Sequence, residues 1–256
     1  MWRSRSLSGY APAAVLFVVL IAAWQALLPV LRIPDVIVPP PSRIVAVIVN
    51  PAINWPYHVG VTAFEALAGF LCAVVLGIGL AIAIVMSRRL EQLLMPYVLL
   101  AQIVPKMAFA PIFFLILGYN LVPSVVITFL VCFFPMVIDT AAGLASVDPQ
   151  MRDLLRSLQA SRWDILRKAE LPASLPYVFS GLKVSSTLAV VGAIVAEFVS
   201  AKAGLGYLVL SAQLTFNSPL AFSAATYLVV LGAAFYGVIV AVERVSMPWA
   251  KGRTRR

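Results

Sequence analysis

Six long apolar stretches limit what this chain can fold into more than any other feature of its sequence. Each covers about 20 residues or more, enough for a helix to cross the roughly 30 Å hydrocarbon layer of a membrane. With approximate ends, the predicted spans are residues 11–31, 59–86, 93–117, 122–145, 176–200 and 220–245. Of the 256 residues, 62% are hydrophobic and 11% are charged, which excludes a water-soluble fold. The sequence predicts an all-α integral membrane protein with about six transmembrane helices, in a single domain that covers residues 1–256.

The basic residues are divided unevenly between the two sides that six spans would create. With a cytoplasmic N-terminus, 15 of the 19 Lys and Arg residues fall on the cytoplasmic side, whereas only Arg32, Arg43 and Lys202 fall outside. Cytoplasmic loops of membrane proteins carry such an excess. The pattern predicts that both termini are cytoplasmic. It also accounts for the net charge of +9 without a nucleic-acid partner.

Residue types alone exclude several kinds of chemistry. His58 is the only histidine, and Cys72 and Cys132 both lie within apolar stretches, so no set of zinc ligands is present. The sequence contains no G-x-x-x-x-G-K-[ST] motif, so the chain does not hold ATP phosphates in a P-loop. We therefore predict no metal site, no catalytic residue and no cofactor on this chain, and we do not expect it to be an enzyme.

One charged connection, residues 146–175, separates the fourth predicted span from the fifth. Asp148 can cap a first short helix that has Pro149 at its first position. Ser161 can cap a second short helix that runs to Glu170. The segment is therefore predicted to be a pair of short helices between two spans.

The first of these short helices carries an apolar stripe. Its members, spaced i, i+3, i+4 and i+7, are Met151, Leu154, Leu155 and Leu158. We expect Pro172 to end the second short helix and Pro176 to begin the fifth span, because proline interrupts helical hydrogen bonding. A charged, amphipathic helix pair held between two spans is a natural docking surface for a partner protein.

The spacing within this segment resembles the signature of the permease family of binding-protein-dependent ABC importers. That signature is E-A-A, three residues, Gly, nine residues, Ile, one residue and Leu-Pro. Asp153-Leu154-Leu155 take the E-A-A positions, Gln159 the Gly position, Ala169 the Ile position, and Leu171-Pro172 the last two. The resemblance covers nearly the whole chain. It is closest to permeases for nitrate, sulfonates, taurine, and pyrimidine-type or riboflavin-type vitamin precursors.

The resemblance implies a type I ABC importer permease fold with cytoplasmic coupling helices between spans four and five. It implies alternating access for a small organic or anionic nutrient, such as a vitamin precursor, a sulfonate or nitrate. The implied partners are two copies of an ABC ATPase that binds ATP and Mg²⁺, a second copy of this permease in a homodimer, and a periplasmic or lipid-anchored substrate-binding protein. The implied location is the bacterial inner membrane. The expected coupling residues are Asp153, Leu154, Leu155, Leu158, Gln159, Ala160, Arg162, Leu171 and Pro172.

One position departs from the family pattern. Glycine adopts a positive φ at little cost, whereas Gln159 in the same conformation would cost on the order of 1 kcal/mol. Either the turn is built differently here, or the chain requires a partner ATPase that is matched to it.

Ionisable and polar groups inside the spans are the candidates for a solute path, because such groups usually face the interior of a bundle or a wet cavity. Pro105 and Pro111 interrupt the third span and free backbone carbonyl groups there. The path candidates are Glu65, Gln102, Lys106, Asp139 and Glu197. For each ionisable candidate, structural pairing or exposure at the membrane interface is the alternative explanation.

Residues 203–219 are too short and too polar to span, and we expect them to fold over the outer mouth as a gate. The gate candidates are Gly204, Gly206, Gln213 and Asn217. Two other classes of protein remain open from the residues alone. An ion-coupled secondary transporter would use the membrane carboxylates, but it usually shows repeated halves, and none is visible. An intramembrane enzyme would need a catalytic constellation, which the chain lacks.

Overall fold

A computed structural model describes residues 11–200 and 202–248, most of which are helical. The helices are α1 (Ala11–Val30), α2 (Pro41–Ile48), α3 (Trp55–Met86), α4 (Arg88–Ile103), α5 (Ala110–Leu117), α6 (Leu121–Ala145), α7 (Pro149–Ser157), α8 (Arg162–Ile165), α9 (Leu171–Ser200), α10 (Leu205–Leu214) and α11 (Ser218–Ser246). A 3₁₀ turn, Lys106–Phe109, precedes α5, and a π-helical turn, Leu166–Glu170, joins α8 to α9. The two termini, which the charge pattern assigns to the cytoplasm, lie outside the described residues.

The predicted number of spans is confirmed. Within residues 11–200 and 202–248, five helices are long and apolar enough to cross a membrane: α1, α3, α6, α9 with the helical turns before it, and α11. A sixth span consists of two pieces, since α4 and the 3₁₀–α5 segment meet at an angle of 77°. The bend follows from Pro105, because the residue before a proline is driven out of the helical conformation, and Val104 has ψ 129°.

The centre of the bundle is formed by α3, α6 and α9, which pack closely through small residues. A Cβ on Gly69 of α3 would lie 2.5 Å from the Cβ of Thr128 on α6. A Cβ on Gly192 of α9 would lie 2.9 Å from the Cα of the same threonine. Close approach through small residues is the usual way that helices associate in lipid, where no hydrophobic effect drives them together.

The outer helices are attached more loosely. The first half of α1, residues 11–20, is exposed all round, and the helix is held near its end by Leu28 and by paired hydrogen bonds between Gln25 and Ser42 of α2. On the other side, α11 is tied to α9 by an ion pair in which Lys183 Nζ lies 2.6 Å from Glu243 Oε2. The bundle therefore has a compact centre with α1 and α11 at its edge.

The prediction that Pro172 ends a short helix and Pro176 begins the fifth span is wrong. The chain remains helical from α8 through the π turn into α9, which begins at Leu171 and includes both prolines. Pro172 has no N–H group, and its ring would clash with the carbonyl group four residues earlier in an ordinary α-helix. The wider π turn directly before it accommodates both effects, so α8, the π turn and α9 form one continuous rod.

Candidate functional site

The short helix α7 and the turn after it follow the predicted local pattern. Asp148 caps α7, since its Oδ1 accepts a hydrogen bond of 2.9 Å from the N–H of Gln150. Asp153 forms an exposed ion pair of 3.1 Å with Arg156. After α7 the chain reverses at Gln159, which has φ +58°. Gln159 thus adopts the left-handed conformation that a glycine would take at this position.

The cap of α8 is also as predicted. Ser161 Oγ accepts a hydrogen bond of 3.1 Å from the N–H of Asp164, and the hydroxyl group donates to the Asp164 carboxylate at 2.5 Å. Lys168 Nζ lies 3.0 Å from the same carboxylate. The hydrogen bond from Ser161, followed by the interactions with Lys168, lowers the pKa of Asp164. The start of α8 is therefore held in place by side chains of its own first turns.

A buried carboxylate joins the two short helices to each other. Glu170, at the end of the π turn, is fully buried, and its Oε1 lies 3.1 Å from Arg152 Nε of α7 and 2.8 Å from Arg162 Nη1 of α8. Because one carboxylate is held by guanidinium groups from both helices, α7 and α8 cannot move independently of the start of α9. We call Arg152, Arg162 and Glu170 the coupling clamp.

The coupling clamp also contacts the ends of two membrane spans. Arg162 Nη2 donates a hydrogen bond of 2.9 Å to the carbonyl oxygen of Val85, near the end of α3. Arg152 Nη2 donates one of the same length to the carbonyl oxygen of Leu144, at the end of α6. These carbonyl groups belong to the last helical turns, where no intrahelical N–H is available to them. The clamp therefore connects α7 and α8 to all three central helices.

The apolar stripe of α7 is divided between the bundle and the surface. Leu155 is half-buried, whereas Leu154 and Leu158 expose 55% and 69% of their surface. Met151 beside them is exposed, and so is Trp163 at the start of α8. We call Met151, Leu154, Leu158 and Trp163 the exposed coupling face. Of the other predicted coupling residues, Ala160 and Leu171 are half-buried and Pro172 is exposed.

At the opposite end of the bundle, the structure brings together candidates from two predicted sets. Glu197 of α9 is fully buried, and its Oε1 accepts a hydrogen bond of 2.6 Å from the hydroxyl group of Thr62 on α3. Its Oε2 accepts hydrogen bonds from the backbone N–H groups of Gly206, at 2.5 Å, and Tyr207, at 3.4 Å. Glu65 is also buried. Its carboxyl group lies beside the carboxyl group of Glu197 and the hydroxyl group of Ser124.

The two remaining N–H groups at the start of α10 are bound by α3. The N–H of Leu205 donates to Thr62 Oγ1 at 2.8 Å, and the N–H of Gly204 donates to His58 Nδ1 at 3.1 Å. Gly204 has φ +112°, and a Cβ there would lie 2.3 Å from the Glu197 carboxyl group. Only glycine fits this position, on grounds of both conformation and space.

The other candidates are dispersed. Lys106 lies at the break between α4 and α5, where its Nζ donates to the carbonyl oxygen of Gln102 at 2.9 Å and lies 4.7 Å from the centre of the Phe134 ring. The side chain of Gln102 is exposed. Asp139 is half-buried on α6 against Gly181 of α9. These three candidates do not meet Glu65 and Glu197.

The last two gate candidates lie at the far end of α10. Gln213 is exposed near the end of this helix. Asn217 caps α11, because its Oδ1 accepts a hydrogen bond of 3.2 Å from the N–H of Leu220. The gate candidates thus mark both ends of α10, with Gly204 and Gly206 at its start.

Sequence reasoning did not single out several residues of these two sites. It used Glu170 only as a helix end, and it did not assign Arg152, Thr62 or His58 to a site. One sequence feature could have indicated the role of Glu170: it is a carboxylate between two apolar residues, and both preceding short helices carry arginines. For Thr62 and His58 the spacing of four residues places both on one face of α3, but nothing in the sequence indicates α10 as their partner.

Comparison with known proteins identifies the family. Residues 73–248 match the family described as "Binding-protein-dependent transport system inner membrane component". The chain belongs to this family. It is 33% identical over 183 residues to the formylaminopyrimidine transport permease protein ThiX of Halalkalibacterium halodurans, covering 72% of this chain and 73% of that protein. It is 31% identical over 238 residues to the riboflavin transport system permease protein RibX of Chloroflexus aurantiacus, covering 92% of this chain and 88% of that protein.

The fold agrees with that of a solved member of the same transporter class. The structure matches a chain of the MetNI methionine ABC transporter in inward-facing conformations with a TM-score of 0.62 and 17% sequence identity. The match covers 73% of this chain and 94% of that chain. The predicted type I ABC importer permease fold is therefore confirmed, and the family places ATP hydrolysis on a separate subunit.

Proposed function

We propose that α7 and α8 dock onto a partner ATPase and that the coupling clamp passes the movement of that ATPase to α3, α6 and α9. The observation that carries the proposal is the double contact of each arginine. Arg152 and Arg162 both bind the buried Glu170 of the rod, and each also binds a carbonyl group at the end of a different span. A push on either short helix is thereby transmitted to the whole centre of the bundle.

The exposed coupling face is the proposed contact with the ATPase. Its four apolar side chains lie on the outer surface of α7 and α8, where water would otherwise cover them. Apolar anchors at the centre of an interface supply most of its binding energy. Arg162 and Leu155 were also predicted to contact the ATPase, but their orientation supports a role in holding the segment to the bundle.

Substitution of the exposed coupling face tests this proposal. Leu154→Asp and Leu158→Asp each place a charge where an apolar anchor is expected, and they should abolish copurification of the ATPase and substrate-stimulated ATP hydrolysis. Ser157→Asp is the matched control, because it adds the same charge to an exposed position of α7 that is already polar. Normal ATPase stimulation in both leucine variants, with normal yield of the chain, would contradict docking at this surface.

For the assembly, we propose two ATPases and two copies of this permease, with the α7 end in the cytoplasm and a substrate-binding protein on the α10 side. The charge pattern supports this orientation. Much of α4 and α5 is apolar and exposed, including Leu100, Ile103 and Leu115, and in this proposal part of that surface contacts the second copy. A symmetric dimer would place one path at its two-fold axis.

The relatives transport formylaminopyrimidine and riboflavin according to their names, so we propose a small heteroaromatic vitamin precursor as the solute. In this proposal Gln102, Lys106 and Asp139 line part of the path. The ion-coupled secondary transporter has less support, because Glu197 is occupied by hydrogen bonds to α3 and α10 and Lys106 by backbone carbonyl groups. Uptake that depends on ATP hydrolysis and persists without an ion gradient is the expected result.

A further inference from the structure

The start of α10 is bound by side chains from other helices rather than by a cap of its own. A helix leaves its first N–H groups without intrahelical partners, and a side chain of the N-cap residue often binds one of them. In α10 the N-cap is Gly204, which has no side chain. Four successive N–H groups, those of residues 204–207, instead donate to His58, Thr62 and Glu197.

We propose that these three side chains, His58 and Thr62 of α3 and Glu197 of α9, form a latch that holds α10 closed, and that release of this latch opens the outer end of the path. The inference rests on the proposed function, because it assigns α10 to the gate of the importer. The latch joins α3, α9 and α10 at one point, so it is sensitive to any separation of α3 from α9.

The latch requires a close approach of the Glu197 carboxyl group to the backbone of α10. The added Cβ on Gly206 would lie 2.8 Å from Glu197 Oε2, so both glycines at the start of α10 are needed for the carboxylate to reach the backbone. Thr62 is central to the latch, because its hydroxyl group donates to Glu197 and accepts from Leu205.

Release of the latch would favour a discrete open state. Glu197 and Thr62 are fully buried, so separation without replacement partners would leave several buried polar groups unpaired. Water entering from the outer side can supply those partners once α10 has moved. A half-open latch is therefore unfavourable.

The rest of α10 indicates how it would move. Leu205 and Leu208 pack in an apolar cluster with Ala224 of α11 and with Trp55, the first residue of α3, so α10 is attached to α11 and to the start of α3 by contacts that do not involve the latch. The connection to α11 is a short turn in which Phe216 has φ +53° and the N–H of Asn217 donates to Ala212 at 2.8 Å. When the latch opens, α10 would remain with α11 and the start of α3 and move away from α9.

Backbone amide exchange measures the latch directly, because the N–H groups of residues 204–207 can exchange with solvent only when their partners release them. Vesicles that contain the full importer, without ATP, are diluted into deuterated buffer. The measured quantity is the rate of deuterium labelling of residues 204–207.

Removal of the Thr62 hydroxyl group should open the latch. We expect Thr62→Val to raise the labelling rate about tenfold, the effect of losing roughly one buried hydrogen bond. Thr62→Ser keeps the hydroxyl group and should label at nearly the original rate. Glu197→Gln is the second test and should also raise the rate, because the amide nitrogen cannot accept a hydrogen bond.

The outcomes separate the latch from the importer proposal. Equal labelling rates in the parent chain, Thr62→Val and Glu197→Gln would overturn the latch, whatever the transport activity. ATP-dependent uptake is measured in the same vesicles, and its absence in the parent would overturn the importer proposal. Faster labelling in the valine variant together with restoration by serine supports the latch, because a general loss of packing would not depend on the hydroxyl group.

Discussion

Gln159 shows the consequence of a single residue in an unusual backbone conformation. It has φ +58°, which non-glycine residues adopt at a cost of about 1 kcal/mol. We expect Gln159→Gly to raise the free energy of unfolding by up to about 1 kcal/mol, as measured by thermal unfolding in detergent. Ser157→Gly, in the last turn of α7, is the control and should have the opposite sign, because glycine destabilises a helix. A loss of stability in both variants would contradict this account of the turn.

At the same scale, Glu170 is the residue on which the coupling clamp depends. Glu170→Gln would leave two guanidinium groups without their buried counter-charge. The side chains of Arg152 and Arg162 are 24% and 36% exposed, so water partly compensates their charge, and we expect a loss of about 1.5–3 kcal/mol, as for hydrogen bonds to charged groups. Asp153→Asn removes a carboxylate from an exposed ion pair and should cost about 1 kcal/mol or less. Similar unfolding temperatures for the two variants would show that Glu170 is not a structural centre.

At the scale of elements, the sequence predicted what local chemistry determines and missed what distant partners determine. The caps of α7 and α8 were predictable because Asp148 and Ser161 bind N–H groups within three residues. The continuous rod was not, because Pro172 usually ends a helix and only the π turn before it prevents that here. The coupling clamp was not predictable either, since Val85 on α3 lies 77 residues before Arg162 in the chain, and no local pattern directs Arg152 to the carbonyl group of Leu144.

At the scale of the molecule, hydrophobicity alone predicted about six spans, and the broken third span followed from Pro105. The sequence could not predict which polar residues of the spans contact one another. Periodicity predicts which residues share one face of a helix, but not which helix packs against that face. Glu197 and Gly204 therefore entered two different sets of candidates, although they are in contact. Their proximity depends on the packing of α3 and α9, which small residues such as Gly192 permit.

The orientation of the whole molecule can be tested with single cysteine probes. The basic residues gather at the α7 end, and cytoplasmic loops carry such an excess, so this end should face the cytoplasm. In a chain without Cys72 and Cys132, Leu214→Cys should react with an impermeant maleimide in intact cells, because this side chain is 75% exposed at the end of α10. Ser157→Cys should react only in inverted vesicles, because α7 would then face the reagent. Reaction of the α7 probe in intact cells would reverse the orientation and, with it, the docking of a cytoplasmic ATPase on the exposed coupling face.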